Sequence, residues 1–229
     1  MKCSIRLTTR ASLLALAAFC ATSAMAQDPA KVASDVYKVR LDNAWVRVLE
    51  VTGKAGQKAA MHKHPGYVVY SLADGSVKFT DAKGATADSN MKSGETMWRD
   101  AESHASVVVS DIHVLLFELK RSKKARPAGA AQADDPASVD PGHFKVLLDN
   151  ERVRVLDYHA APGDKTPMHS HPAYVTYDFD GGKTAFTYPT AKPMERASKA
   201  GDIIWHSPET HAGQVMGDAS VHILLVEIK

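Results

Sequence analysis

One short run in this chain occurs twice, and a repeat of this kind limits the possible folds more than any other feature of the sequence. Met61-His62-Lys63-His64-Pro65 returns 107 residues later as Met168-His169-Ser170-His171-Pro172. The same offset carries Val39–Asn43 onto Val146–Asn150, and Gly56, Tyr67 and Tyr70 onto Gly163, Tyr174 and Tyr177. It also carries Gly94, Trp98, Glu102 and His104 onto Gly201, Trp205, Glu209 and His211. Near the end the offset widens to 109, so His113, Glu118 and Lys120 match His222, Glu227 and Lys229. A chain of 229 residues with this pattern reads as two similar units.

Within each unit the pattern is that of strands. Tyr37 to Leu41 and Trp45 to Val51 nearly alternate apolar side chains, with Asp42-Asn43 as the turn between them. Residues 81–93 are small and polar and read as a hairpin or loop. Val107 to Val109 and Val114 to Leu119 close the first unit. No long amphipathic helix is legible, and many short strands between glycine turns predict an all-β fold of two small barrels. The expected boundaries are a leader over 1–26, a first unit over 27–120, a linker over 121–141 and a second unit over 142–229. Residues 27–35 read as a polar lead-in, and the alanine-rich, acidic linker has too few apolar residues to build a core.

The leader reads as a secretory signal. Lys2, Arg6 and Arg10 precede a short apolar run from Leu13 to Ala21, and Ala24-Met25-Ala26 is a small-x-small cleavage site before Gln27. Cys20 invites a lipid-anchor reading, but the bulky Phe19 before it favours simple cleavage. Both cysteines, Cys3 and Cys20, fall in the leader, so a chain starting at Gln27 has no disulfide and no thiol ligand. That chain keeps 25 of the 28 basic residues and all 26 acidic ones, a balance that offers nothing to nucleic acid or to an anionic membrane. The expected location is periplasmic or secreted.

The histidines carry the chemistry. In a strand, His62 and His64 put both rings on one face and Lys63 on the other. His104 lies 40 residues after His64, on a segment that an antiparallel barrel can bring alongside. Three imidazoles suit iron, zinc, nickel, manganese or copper and leave positions open for water or substrate. The second unit repeats the set as His169, His171 and His211. A competing reading is that these rings only hold strand ends together by hydrogen bonds. Tyr67, Tyr70, Tyr174 and Tyr177 are candidate donors at the pockets, and Glu102 and Glu209 are candidates to orient a ring or act as a base. His206 and His159 occur only in the second unit and are candidate pocket residues there. His113 and His222 share a face with apolar neighbours. They read first as partly buried rings satisfied by a neighbour, and second as support for a ligand. Trp98 and Trp205 read as wall or core.

This arrangement resembles the cupin superfamily, specifically a two-domain cupin (bicupin) of exported bacterial type. Gly56, His62, His64 and Gly75 match the family's first motif, as do Gly163, His169, His171 and Gly182. The motif's metal-binding glutamate falls at Val68 and Val175 and is missing from both. Gly94 with His104, and Gly201 with His211, fit the second motif loosely. The resemblance implies two tandem jelly-roll barrels with a divalent transition metal and a small-molecule ligand, and it admits a homodimer. Three histidines without the glutamate resemble the three-histidine iron cupins. The functional expectation is a metal-binding bicupin, as an oxygenase acting on a small organic molecule. The alternatives are a non-catalytic periplasmic binding module or a structural bicupin with degenerate sites. The second unit is expected to bind metal more tightly, because Lys63 and Arg99 lie near the first set of histidines in sequence while Ser170 and His206 take their places in the second.

Overall fold

The structure is a computed structural model that describes residues 27–120 and 134–229. The predicted leader with its two cysteines, and linker residues 121–133, lie outside the described residues. Among the described residues no helix is long and apolar enough to cross a membrane.

The first unit holds β1 (Tyr37–Asp42), β2 (Val46–Gly53), β3 (Lys58–His64), β4 (Tyr67–Ser71), β5 (Gly75–Asp81), β6 (Thr86–Met91), β7 (Thr96–Arg99), β8 (Glu102–Ser110) and β9 (Ile112–Leu119). The second repeats them as β10 (Phe144–Asp149), β11 (Val153–Ala160), β12 (Lys165–His171), β13 (Tyr174–Asp178), β14 (Gly181–Thr187), β15 (Met194–Lys199), β16 (Ile203–His206), β17 (Glu209–Met216) and β18 (Val221–Ile228). Each unit is a pair of antiparallel sheets, ordered β1-β2-β9-β4-β7 and β3-β8-β5-β6 in the first and β10-β11-β18-β13-β16 and β12-β17-β14-β15 in the second. The polar stretch 81–93 is a hairpin, β5 pairing with β6 around Gly84.

The motif glycines have two separate reasons to be glycine. Gly56 and Gly163 sit in open space at φ 88° and 84°, a left-handed turn that a side chain resists. Gly75 and Gly182 meet close neighbours, a Cβ there lying 2.6 Å from the Asp111 carbonyl or from Val221 Cγ1, and Gly182 also has a positive φ, 147°.

Two stretches expected to be featureless are structured. Pro29–Val32 forms α1, a single helical turn, and Pro136–Val139 forms α2. Both follow an aspartate, Asp28 or Asp135, at the duplication's own offset of 107. The repeat therefore begins earlier than the strand pattern suggested, and residues 134–141 of the expected linker belong with the second unit. Ala33, in the supposed lead-in, is buried in the first barrel's interior beside Val36.

Alternation decides which face each core residue serves. On β9, Val114 and Leu116 point into the first barrel, while Leu115, Phe117 and Leu119 point out of it. Those outer residues join Val153, Val155, Leu224 and Val226 of the second unit in a shared core, so the two five-stranded sheets pack face to face. β1 lies against β16 and β10 against β7, the reciprocal contacts of a pseudo-twofold relation. Trp98 and Trp205 pack against this shared core, as wall residues.

Candidate metal centres

His62 and His64 are buried at the end of β3, and the intervening Lys63 is exposed, as alternation requires. His104 on β8 is the direct cross-strand partner of His62. One ring nitrogen from each of the three lies within 4.8 Å of the others. β12 and β17 build the same group from His169, His171 and His211, with His169 paired directly to His211.

The hydrogen bonds prepare these rings for a cation. His62 Nδ1 lies 2.7 Å from the Ala60 carbonyl and His169 Nδ1 lies 2.7 Å from that of Pro167. A carbonyl only accepts, so each Nδ1 carries the proton and Nε2 keeps its lone pair. Burial pushes His62 and His169 down to about 4 and His171 well below the ordinary range, so these rings are neutral at neutral pH. Among the described residues, His64 Nε2 and His169 Nε2 are buried without a hydrogen-bond partner. A buried unpartnered nitrogen is costly unless something occupies it, and a borderline divalent metal fits three neutral imidazoles.

The residues behind the rings include one pair that the sequence did not single out. Glu118 on β9 and Glu227 on β18 are buried, and each accepts the Nδ1–H of one ligand ring: His64 at 2.6 Å and His171 at 2.7 Å. A carboxylate in this place fixes the ring's tautomer and raises its basicity. The missing family glutamate has thus not been replaced at its own position, since Val68 and Val175 face the shared core between the barrels. The carboxylates come from a different strand and act one bond further out. The only clue in the sequence was that Glu118 and Glu227 are duplicated. In the first barrel a chain of contacts continues outward, Arg47 donating to Glu118 at 2.6 Å and to Asp28 at 2.9 Å. In the second, Arg154 is held by Asp135 at 3.1 Å, and Glu227 Oε2 has no hydrogen-bond partner among the described residues. Burial pushes Glu227 up to about 7.

Tyr67, Tyr174, Glu102 and Glu209 lie beside the ligands. The rings of Tyr67 and His64 are 4.9 Å apart, and those of Tyr174 and His171 are 4.7 Å apart. Tyr67 donates to Glu102 at 2.7 Å and Tyr174 to Glu209 at 2.6 Å. Burial opposes ionisation of Glu102 and Glu209. Neighbours outweigh it in both and hold them well below the carboxylate range: His104 at 3.6 Å with Arg99 and Tyr67 for Glu102, and His206 at 3.4 Å with His211 at 3.7 Å and Tyr174 for Glu209. A carboxylate held ionised so firmly anchors its neighbours and is a poor base. His206 lines the second cavity and stacks on Tyr174 at 4.4 Å.

Five candidates lie elsewhere. Tyr70 and Tyr177 are three residues from Tyr67 and Tyr174, so alternation turns them to the opposite face, into the shared core. His113 and His222 also face away from the ligands. His113 bonds Glu50 at 2.7 Å and His222 bonds Asp157 at 2.7 Å, which matches the reading of rings satisfied by a neighbour. His159, expected in the second pocket, stacks on His222 at 3.8 Å outside it.

The two cavities differ. The first measures about 50 Å³ and the second about 100 Å³. Val69, Val77 and Met91 of the first are replaced at the repeat offset by Thr176, Thr184 and Ser198. Each has one arginine, but from a different strand. Arg99 on β7 lies 5.1 Å over Phe79 and pairs with Glu102 at 2.6 Å. Arg196 on β15 lies 5.0 Å over Phe186, 3.5 Å from Glu209. Lys63 points outward and each site holds one guanidinium, so the charge difference expected between the two sites does not exist.

No protein-family model matches this sequence, and no curated protein sequence is similar to it. Solved structures are. A Leptotrichia buccalis protein described as a cupin 2 conserved barrel domain protein is 13% identical over 85% of this chain and 88% of its own, with a TM-score of 0.49. Higher scores come from two others. A Bacillus subtilis oxalate decarboxylase described for its Mn(II) centers is 12% identical over 84% of this chain and 75% of its own, with a TM-score of 0.58. AerE from Microcystis aeruginosa is 12% identical over 85% of this chain and 97% of its own, with a TM-score of 0.58. Identities this low speak to the fold and not to the reaction. With two duplicated antiparallel barrels packed back to back and an imidazole triad inside each, the chain has the fold of a two-domain cupin, a bicupin.

Proposed function

We propose that this protein is an exported metal-binding bicupin whose second barrel acts on a small polar or anionic organic molecule, as a three-histidine metal-dependent oxygenase. The observation that carries the reading is the buried group His169, His171 and His211 opening on a cavity of about 100 Å³ lined by Arg196, His206 and Thr176. The likeness to an oxalate decarboxylase with Mn(II) centers supports a divalent metal and a small ligand. Iron held by the three rings supplies redox chemistry toward dioxygen when bound. The chain's own contribution is placement. Arg196 offers its guanidinium to a carboxylate or paired hydroxyls, Thr176 and His206 offer further polar contacts, and Phe144 and Phe186 keep the cavity walls apolar.

Elemental analysis of gently purified protein tests the metal, and oxygen uptake by the iron-loaded protein across small carboxylic acids and diols tests the reaction. Uptake that disappears in His171→Ala supports an oxygenase. Ligand binding without uptake supports the second reading, a non-catalytic binding module, which the same cavity serves equally well. Metal retained unchanged when all three rings of the second barrel are replaced overturns both. Export is proposed on the leader's pattern alone, and the intact mass of secreted protein, starting at Gln27, checks it.

A further inference from the structure

We propose a third metal site, on the outer face of the second barrel, formed by Asp157, His159 and His222. Asp157 and His159 are two residues apart on β11 and therefore share a face, and His222 on β18 is the direct cross-strand partner of His159. That face is the one turned away from His169, His171 and His211, so the group is separate from the metal centre inside the barrel. One oxygen and two ring nitrogens lie within 4.8 Å of one another. Asp157 accepts from His222 Nε2 at 2.7 Å and from His159 Nε2 at 3.1 Å, so both rings already aim their nitrogens at the carboxylate.

The duplication provides an internal control. The matching positions in the first barrel are Glu50, Thr52 and His113. There the carboxylate of Glu50 pairs with His113 and with the guanidinium of Arg40, which also reaches the Gly201 carbonyl of the second unit at 2.8 Å. At the repeat offset Leu147 takes the place of Arg40, and His159 takes the place of Thr52. The second barrel has lost the protein's own cation from this carboxylate and gained one more imidazole. Those two changes are what separates an ion-paired patch from a cation site.

The support around the site is graded in a way that suits capture from solvent. The side chains of Asp157 and His222 are 18% and 24% exposed, and Phe179 stacks on His222 at 3.8 Å, so two donors are held. His159 is 58% exposed and is held only by its stack on His222 and its bond to Asp157, so an ion that displaces that bond meets a solvent-facing ring. Two imidazoles and a carboxylate, with water completing the shell, suit zinc, nickel or copper(II).

Zinc titration of the full chain by calorimetry tests the site, using His159→Thr, which restores the first barrel's residue, and Asp157→Asn. The expected result is one equivalent that both variants lose or weaken at least tenfold, with binding at the two interior groups unchanged. A gain-of-site variant, Arg40→Leu with Thr52→His, is expected to add one equivalent on the first barrel. Isotherms of both loss variants that superimpose on the parent overturn the proposal. Loss of the interior equivalents along with this one overturns its separateness.

Discussion

The two barrels share a backbone plan, and at the first ligand ring of each they differ by one oxygen atom. Tyr37 in the first barrel donates to His62 Nε2 across 3.3 Å. At the matching position the second barrel has Phe144, and His169 Nε2 has no partner among the described residues. The first site therefore spends a ligand lone pair on its own phenol, beside a cavity of about 50 Å³. The second leaves that lone pair free, beside a cavity of about 100 Å³. One duplicated frame thus holds a site with one ring nitrogen capped by the protein and a site with the matching nitrogen free. The second site is expected to bind metal more tightly, as the sequence suggested, but the reason is a hydrogen bond and not the lysine and arginine that the sequence put forward.

The largest expected effect comes from removing a ligand. His169→Ala, His171→Ala or His211→Ala each takes away one of three protein donors, and bound metal at the second barrel is expected to vanish. Metal analysis and thermal unfolding with and without added zinc read this out, because a bound ion stabilises only the folded state. If the comparison holds, alanine at His62, His64 or His104 costs much less total metal.

Acid is the test on which the barrels should behave alike. His62 and His169 are each held at about 4 by burial, whereas an unfolded chain protonates its histidines near 6.5. The unfolded state thus takes up protons first, and the metal-free protein loses stability as pH falls from 6.5 towards 4. Each ring contributes about 2–3 kcal/mol to that loss. Urea midpoints across this window check it, and a flat profile breaks the claim that both rings are buried and neutral.

Glu227→Gln is expected to weaken metal binding at the second barrel by about 10–100-fold, the usual cost of losing a carboxylate behind a ligand ring. The mutant keeps the shape of the side chain, so an unchanged metal affinity would reduce Glu227 to a packing role. Glu118→Gln asks the same of the first barrel, where Arg47 and Asp28 also lose their anchor.

The smallest effect sharpens the comparison most. Tyr37→Phe frees His62 Nε2 and Phe144→Tyr caps His169 Nε2. Each exchange is worth about 1 kcal/mol, the net value of one hydrogen bond, or roughly fivefold in affinity. The double exchange is expected to reverse the order of the two sites in a metal titration. An order that stays the same would move the cause to the cavity walls.

Much of this was legible beforehand because strands obey a short local rule. The two-residue spacing of His62 and His64 placed both rings on one face, and the offset of 107 placed His169 and His171 likewise. The same rule should have removed Tyr70 and Tyr177 from the pockets, since residues three apart in a strand face opposite ways. The start of the repeat at Asp28 and Asp135 was also visible, but a four-residue helix carries no periodicity to flag it.

Sequence by itself determined the duplication, the all-β class, the turns that need glycine and the six histidines, all of which follow from composition and spacing within a few residues. Tertiary structure alone decided which partner each of those histidines has. Glu118 lies 54 residues from His64, and the register that brings β9 behind β3 is set by the packing of whole sheets. For the same reason it alone showed that two arginines from different strands serve equivalent places, that Val68 and Val175 face a core shared by both barrels, and that a phenol caps one ring nitrogen in the first site while the matching nitrogen in the second is free. Contacts of that range depend on where the chain returns, and a local pattern holds no record of it.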